Sequence, residues 1–141
     1  MRSKQASDSL RALRDKRVLI GPNDTASLAT RMANALAEQG VRTYVLNLTP
    51  HHYLAGESEL GKARAIAPRL IRWLRNLSEH GVLGRTLGRC LSTVLRFGIV
   101  LWAALRVDAV ILIANRSILG AAADLRLFRL AGIRIVRLFV G

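Results

Sequence analysis

An unbroken apolar run near the end of the sequence, Ala109–Ala114, most restricts what this chain can fold into. The run is short and is bounded by Asp108 and Asn115. A strand that is buried on both faces of a parallel sheet has this pattern. The β-branched segment Ile133–Val140 predicts a second strand, and a short helix is predicted between the two. The last third of the chain therefore predicts a βαβ unit with a right-handed connection.

The helix of this unit is predicted from its two ends. Asp124 is a good N-cap residue, and Gly132 suits the position just after the last helical turn. Its apolar side is expected to hold Leu125, Phe128 and Leu130. Parallel sheets carry their chemistry in the loops at the carboxyl ends of the strands. The loop Asn115–Ser117 is therefore a predicted ligand-contacting segment.

The beginning of the chain repeats the design. Arg17–Ile20 and Val41–Leu48 predict strands. Ala26–Gln39 predicts the helix between them, ended by Gly40. The apolar face of this helix is expected to hold Leu28, Met32, Ala35 and Leu36. Two such units predict the α/β class, with a Rossmann-like parallel sheet and flanking helices, over residues 17–141. Residues 1–16 are expected to form a basic, flexible tail.

Arginine-rich helices are predicted in the middle of the chain, over residues 62–106. One covers Lys62–Leu77, with a start or kink near Pro68 because proline removes a backbone donor. The other covers Arg85–Arg106. Their apolar stripes are expected to pack on the sheet. The first stripe holds Ile66, Leu70, Trp73, Leu74 and Leu77, and the second holds Leu87, Leu91, Val94, Leu95, Trp102 and Leu105. Whether the arginines are simply solvated or contact an anionic membrane stays open.

The formal net charge of +13 indicates a polyanionic partner, either nucleic acid, anionic lipid or a phosphorylated substrate, unless the arginines only coat solvated faces.

No run of the sequence reaches the roughly 18 uninterrupted apolar residues of a spanning helix. The N-terminus lacks the apolar segment of a secretory signal. A cytoplasmic protein is expected, with peripheral contact at the inner face of the membrane left open. Cys90 is the single cysteine, which excludes an internal disulfide, and it is interpreted as a packing residue.

Recognised catalytic and cofactor motifs are missing from the sequence. The loop Gly21–Ala26 has one glycine where a dinucleotide fingerprint needs three, and it has no Walker lysine, so no cofactor is expected. His51 and His52 are adjacent, and neighbouring side chains point apart on regular structure, so a metal site is disfavoured. A polar loop that touches a ligand is the preferred interpretation of this segment.

Two parts of the chain resemble GT-B glycosyltransferases. The first strand is followed by a Gly-x-x-Asn loop and by a helix that ends in LAEQG before the second strand. The C-terminal third is similar to a segment of bacterial family 4-like glycosyltransferases. The positions that carry this similarity are Asp108, Arg116, Ser117, Leu119, Asp124, Leu125, Gly132 and Gly141. The resemblance covers Arg17–Leu48 and Val107–Gly141, and the opening loop departs from it at Asp24 and Thr25.

The resemblance implies an incomplete GT-B N-terminal domain, the acceptor-side portion of a glycosyltransferase. Such an enzyme moves a sugar from a nucleotide-sugar donor to a glycan or lipid-linked acceptor. The substrate-binding residues implied are Asn23, Asp24, Thr25, His51, Arg116 and Ser117. The catalytic residues stay unknown; His51 and Asp24 are the candidate bases. The family's donor-binding domain has no counterpart in the sequence, so the isolated chain is expected to be inactive.

The alternative is a non-catalytic, basic α/β module that binds nucleic acid or an anionic membrane. Nucleic acid is the less favoured partner because no RNP motif, helix-turn-helix spacing or aromatic interleaving is present. A nucleotide-dependent oxidoreductase is weakened by the single-glycine loop. A sheet that ends on an open apolar strand is also expected to make the isolated chain self-associate.

Overall fold

The computed structural model of the chain describes residues 15–22, 28–48, 61–79, 81–113, 117–120 and 123–138. Strands and helices follow one another in this part of the chain. They are β1 Arg17–Gly21, α1 Leu28–Glu38, β2 Arg42–Val45, β3 Arg64–Ala65, α2 Pro68–Ser78, α3 Gly81–Arg106, β4 Ala109–Ile113, α4 Ala123–Leu130 and β5 Arg134–Leu138.

The strands form one parallel sheet in the order β3-β2-β1-β4-β5. Val18 on β1 pairs with Thr43 on β2 at one side and with Ala109 on β4 at the other. The chain thus adds β2 and β3 on one side of β1, returns across the sheet, and adds β4 and β5 on the other side of β1. This doubly wound order confirms the predicted α/β class with a Rossmann-like parallel sheet and flanking helices.

The two faces of the sheet are covered by different helices. Val18 and Ile20 point to the face that packs with Ala29 and Ala33 of α1. Leu19 points to the opposite face, where the core also contains residues of α2, α3 and α4. The buried members of that larger core include Ile71, Val100, Ala103, Val110, Leu112 and Phe128. Alternate residues of each strand thus serve two cores, which explains why the strand sequences are almost continuously apolar.

Glycine ends two helices as the sequence predicts. Gly40 has φ of 87° and Gly132 has φ of 73°, values that favour glycine. After α1 the N–H of Val41 donates to the carbonyl of Leu36 at 3.1 Å, and after α4 the N–H of Ile133 donates to Phe128 at 2.9 Å. These are Schellman-type ends, in which the chain reverses direction and satisfies the last helical carbonyls.

The packing faces of α1 and α4 differ from their predictions. The buried positions of α1 are Ala29, Thr30, Ala33 and Ala37, while the larger Leu28, Met32 and Leu36 only border the core and Ala35 is exposed. Small residues occupy the buried line because they let the helix lie close to the sheet. On α4, Leu125 and Phe128 are buried as predicted, but Leu130 is 86% exposed. Asp124 follows the first helical residue and does not precede the helix.

The structure corrects the start of the arginine-rich region. The sequence predicts helix from Lys62, but Arg64–Ala65 forms β3 and pairs with Tyr44 and Val45 of β2. The helix begins at Pro68, which lies at its first turn, where the missing N–H costs nothing. Helix α3 begins at Gly81, four residues before the predicted boundary at Arg85.

The largest correction concerns the apolar side of α3. Of the residues expected to pack on the sheet, Leu95 and Trp102 do border the core, but four are exposed: Leu87, Leu91, Val94 and Leu105. The buried positions of α3 are instead Gly84, Gly88, Ile99, Val100 and Ala103. Leu70 and Trp73 of α2, also expected in the core, are 44% and 53% exposed. Two of the helices therefore present apolar side chains to solvent.

Candidate functional site

The carboxyl edge of the sheet contains a topological switch point between β1 and β4. These strands are neighbours, with Gly21 paired to Leu112, and the chain leaves them toward opposite sides of the sheet. In open parallel sheets a crevice forms at this position, and ligands bind there. The candidate site is therefore the carboxyl edge around the ends of β2, β1 and β4.

The loops singled out by the sequence leave these three neighbouring strands. Ser117 is half-buried and directly precedes the buried Ile118 in the connection after β4. The other predicted ligand residues lie outside the described part of the chain; they are Asn23, Asp24, Thr25, His51 and Arg116. The sheet order brings the starting points of their loops to one edge, because β2, β1 and β4 are adjacent.

Gly21 has a packing role at this edge. A Cβ atom at Gly21 would lie 2.6 Å from the carbonyl oxygen of Leu46, so a larger residue would force the two chains apart. Beyond the strands, Leu46 donates its N–H to Ile20 at 2.8 Å and Leu48 donates to Pro22 at 2.8 Å. The segments after β1 and β2 thus stay paired as they approach the site. Close backbone contact accounts for the single glycine of the first loop.

Asp124 organises the connection after β4, a role the sequence prediction missed. Its side chain is fully buried. One carboxylate oxygen accepts the N–H of Ile118 at 2.5 Å, and the other accepts the N–H of Leu125 at 3.1 Å. The carboxylate therefore ties the segment next to Ser117 to the first turn of α4. An aspartate predicted only as a helix cap is in fact the anchor of a candidate ligand loop.

Helices α2 and α3 project beyond the same edge. Helix α2 follows β3 at the carboxyl ends of the strands, and α3 ends at their amino ends, where the Arg106 carbonyl accepts a hydrogen bond from the Arg17 side chain at 3.2 Å. The 26 residues of α3 span about 39 Å. A five-residue strand spans about 17 Å. The first half of α3 therefore overhangs the edge, and it packs on α2, with Gly88 close to Ser78.

A row of arginines lies on the sheet-facing side of the overhang. Arg85, Arg89 and Arg96 recur at helical spacing, and the same line continues into the buried Ile99 and Ala103. Arg85 and Arg89 are exposed. Arg96 is half-buried, and its Nε has no hydrogen-bond partner among the described residues. The face of α3 that packs on the sheet thus becomes basic where the sheet ends.

The chemistry available here is anion binding and hydrogen bonding. Within the described ranges, no three His, Cys, Asp or Glu side chains come together as metal ligands. Both adjacent histidines lie outside those ranges. Cys90, predicted to be a packing residue, is exposed on α3. The guanidinium groups of the arginine row suit phosphate or sugar hydroxyls as ligands.

Comparisons with known proteins find no match to a protein-family model, a curated protein or a solved structure. Assignment of the chain therefore rests on its own topology. Its five-stranded parallel sheet, wound in the order β3-β2-β1-β4-β5 between two layers of helices, is a Rossmann-like α/β fold.

Proposed function

We propose that this chain is the acceptor-side portion of a GT-B glycosyltransferase that moves a sugar from a nucleotide-sugar donor to a glycan or lipid-linked acceptor. The observation that carries the proposal is the switch point between β1 and β4. It lies where a ligand of a doubly wound sheet binds. The loops that resemble glycosyltransferases leave the sheet at this point.

The identity of the ligand is argued from the residues around this edge. Asn23, Thr25 and Ser117 supply amide and hydroxyl groups that suit sugar hydroxyls, and Arg116 suits a phosphate. The arginine row of α3 adds positive charge at the same edge. A nucleotide-sugar or a lipid-linked acceptor carries both phosphate and sugar. Electrostatic attraction and hydrogen bonding together favour such a ligand over a neutral metabolite.

A division of labour follows from the resemblance. In GT-B enzymes a second Rossmann-like domain binds most of the donor. This chain would therefore contribute the acceptor-binding site and one wall of the cleft between the domains. In this proposal the described sheet belongs to a GT-B N-terminal domain, and its role in the enzyme is to bind the acceptor. Its working place is the cytoplasm, at the inner face of the membrane when the acceptor is lipid-linked.

The test is a titration of the isotope-labelled chain, followed through its backbone amide chemical shifts. The ligands are a panel of nucleotide-sugars, free oligosaccharides and short-chain polyprenyl-phosphate sugars in detergent micelles. We expect saturable shifts at the carboxyl edge, at Gly21, Leu48 and Ser117. Arg42 and Asp108, at the amino edge, should keep their positions. Empty micelles and inorganic phosphate are the controls.

The alternative, a non-catalytic basic module, requires no ligand at the carboxyl edge. If every panel member leaves the amides of that edge unmoved, the glycosyltransferase proposal is wrong. A nucleic-acid ligand is disfavoured further by the structure, because the exposed aromatic side chains in its described part are Trp73 and Phe97, both among leucines on α2 and α3. Base-stacking platforms need aromatic rings on an open basic surface.

A further inference from the structure

A continuous apolar stripe runs along the solvent side of α3. We define the α3 stripe as Leu83, Leu87, Cys90, Leu91, Val94, Phe97, Leu101 and Leu105. Its large hydrophobic members are between 41% and 81% exposed, and Cys90 is exposed as well. From Leu83 to Leu105 the stripe is about 33 Å long. A soluble monomer rarely leaves an apolar surface of this length uncovered.

The stripe lies opposite a strongly basic side. Between Lys62 and Arg106 the sequence has nine basic residues and one acidic residue, Glu79. On α3 itself, Arg85 and Arg89 are exposed on the side away from the stripe. On α2, the exposed Arg69 and Arg72 accompany the exposed Trp73. Helices with arginines on one side and Leu, Phe and Trp on the other bind the interface of anionic bilayers.

The packing of α3 decides between lying on a bilayer and crossing it. By length and composition alone, α3 is the one described helix that would suffice to cross a membrane. Its second half, however, is held against the sheet by the buried Ile99, Val100 and Ala103. The Trp102 ring also packs edge-on against Tyr44 of β2, with centroids 5.0 Å apart. Because the core holds the second half of α3, this fold presents one side of the helix to a membrane and does not release it to cross one.

We propose that the α3 stripe, with Leu70 and Trp73 of α2, is a docking surface for an anionic phospholipid bilayer. The apolar side chains enter the interface, and attraction to the lipid charge comes from the exposed Arg69, one turn before Trp73 on α2, and from the net charge of +13. The overhang places the first half of this surface at the same edge as the candidate ligand site. Docking therefore brings that site to the membrane, and the acceptor is then a lipid-linked sugar. That last step alone rests on the proposed glycosyltransferase function.

The native cysteine provides the measurement. Cys90 lies in the middle of the stripe and is the only cysteine in the sequence. The full-length chain is labelled there with an environment-sensitive fluorophore and mixed with vesicles of phosphatidylcholine alone or with added phosphatidylglycerol. We expect a blue shift and an intensity rise with the anionic vesicles. Raising salt to 1 M, where the Debye length falls to about 3 Å, should weaken binding several-fold. Cys90→Ser with Ala35→Cys labels exposed α1 as the control, where no shift is expected.

Matched substitutions distinguish membrane binding by the α3 stripe from nonspecific hydrophobic adsorption. The triple variant Leu87→Gln, Val94→Gln and Leu101→Gln keeps the charge and changes only exposed positions. It should lower the vesicle partition coefficient at least about tenfold, because less apolar surface enters the bilayer. Leu130→Gln removes a leucine from α4 that is more exposed than any of these three and should leave partitioning unchanged. Circular dichroism of each variant establishes that it is folded.

Several results would overturn the docking surface. These are no shift with anionic vesicles, a dimer that buries the Cys90 label without lipid, or RNA binding at low salt that exceeds vesicle binding and is insensitive to the triple variant. Resistance of the bound chain to alkaline carbonate extraction would instead indicate a spanning helix. Vesicle binding together with unchanged amide chemical shifts at the carboxyl edge in the ligand titration would support the docking surface. The same result would reject the glycosyltransferase proposal.

Discussion

The buried carboxylate of Asp124 holds the backbone N–H of Ile118 at 2.5 Å, six residues earlier in the chain. Through this bond the loop that carries Ser117 is anchored to α4. Both carboxylate oxygens have backbone partners, because the second accepts from Leu125 at 3.1 Å. A charged side chain with no solvent exposure is thus satisfied by amides.

Replacement of Asp124 should destabilise the fold. Asp124→Ala leaves two backbone donors without their acceptor, and hydrogen bonds to a charged group contribute about 1.5–3 kcal/mol each. We expect the free energy of unfolding to fall by about 3 kcal/mol, measured by urea denaturation. Asp124→Asn keeps one oxygen and should lose about half as much. Arg126→Ala, on an exposed position of the same helix, is the control. Equal stability of all the variants would exclude the anchoring role.

Gly21 should not tolerate a side chain. In Gly21→Ala the new Cβ meets the Leu46 carbonyl oxygen at 2.6 Å and the Leu46 Cβ at 2.9 Å, so β1 and β2 must separate. We expect a loss of about 2–3 kcal/mol in unfolding free energy, within the range for overpacked sites. Gly61→Ala is the matched control, since its Cβ would lie 3.6 Å from the Asn34 side chain, an ordinary contact. A stable Gly21→Ala variant would contradict the close approach of the two strands.

Two glycines of α3 should respond to substitution with opposite signs. A Cβ at Gly88 lies 3.0 Å from the Ser78 Cβ, so Gly88→Leu pushes α2 away and should cost about 1–3 kcal/mol. A Cβ at Gly98 meets nothing within 4 Å. Gly98→Ala should therefore stabilise the helix by about 0.5–1 kcal/mol through its higher helix propensity. Thermal unfolding of the pair measures both effects, and a loss of stability in Gly98→Ala would show an unrecognised contact.

The exposed edge at β5 should promote self-association of the chain. In the described sheet β5 is an outer strand, and Val136 on it is 46% exposed. We expect a concentration-dependent oligomer in sizing chromatography at moderate salt. Val136→Lys places a charge on the edge and should shift elution toward the monomer, as charged edge strands resist pairing. Leu130→Lys, at an exposed position on α4, should leave the elution volume unchanged. A monodisperse wild-type monomer would contradict the prediction.

The sequence correctly predicted the strands and helix ends that depend only on a short stretch of neighbouring residues. The apolar run of β4, the strand before Gly21, and the glycine ends at Gly40 and Gly132 all lie where they were predicted. Each of these features depends on burial on both faces of a strand or on the φ angle of one residue. The α/β class followed from their alternation. The ligand-binding role of the loops at the strand ends stays a prediction, because of its residues only Ser117 lies in the described part of the chain.

Tertiary structure alone decided which side of α1 and α3 is most deeply buried, whereas Leu125 and Phe128 of α4 are buried as the sequence predicts. On α3 the leucines were the expected core, yet Gly84, Gly88, Val100 and Ala103 face the protein, because helices pack closest where side chains are small. Strand β3 exists only through its pairing with Tyr44 and Val45, since two residues carry no strand signal of their own. The anchoring role of Asp124 and the exposed stripe have the same origin. They depend on contacts between residues distant in sequence or on surface left uncovered, which periodicity along one segment cannot encode.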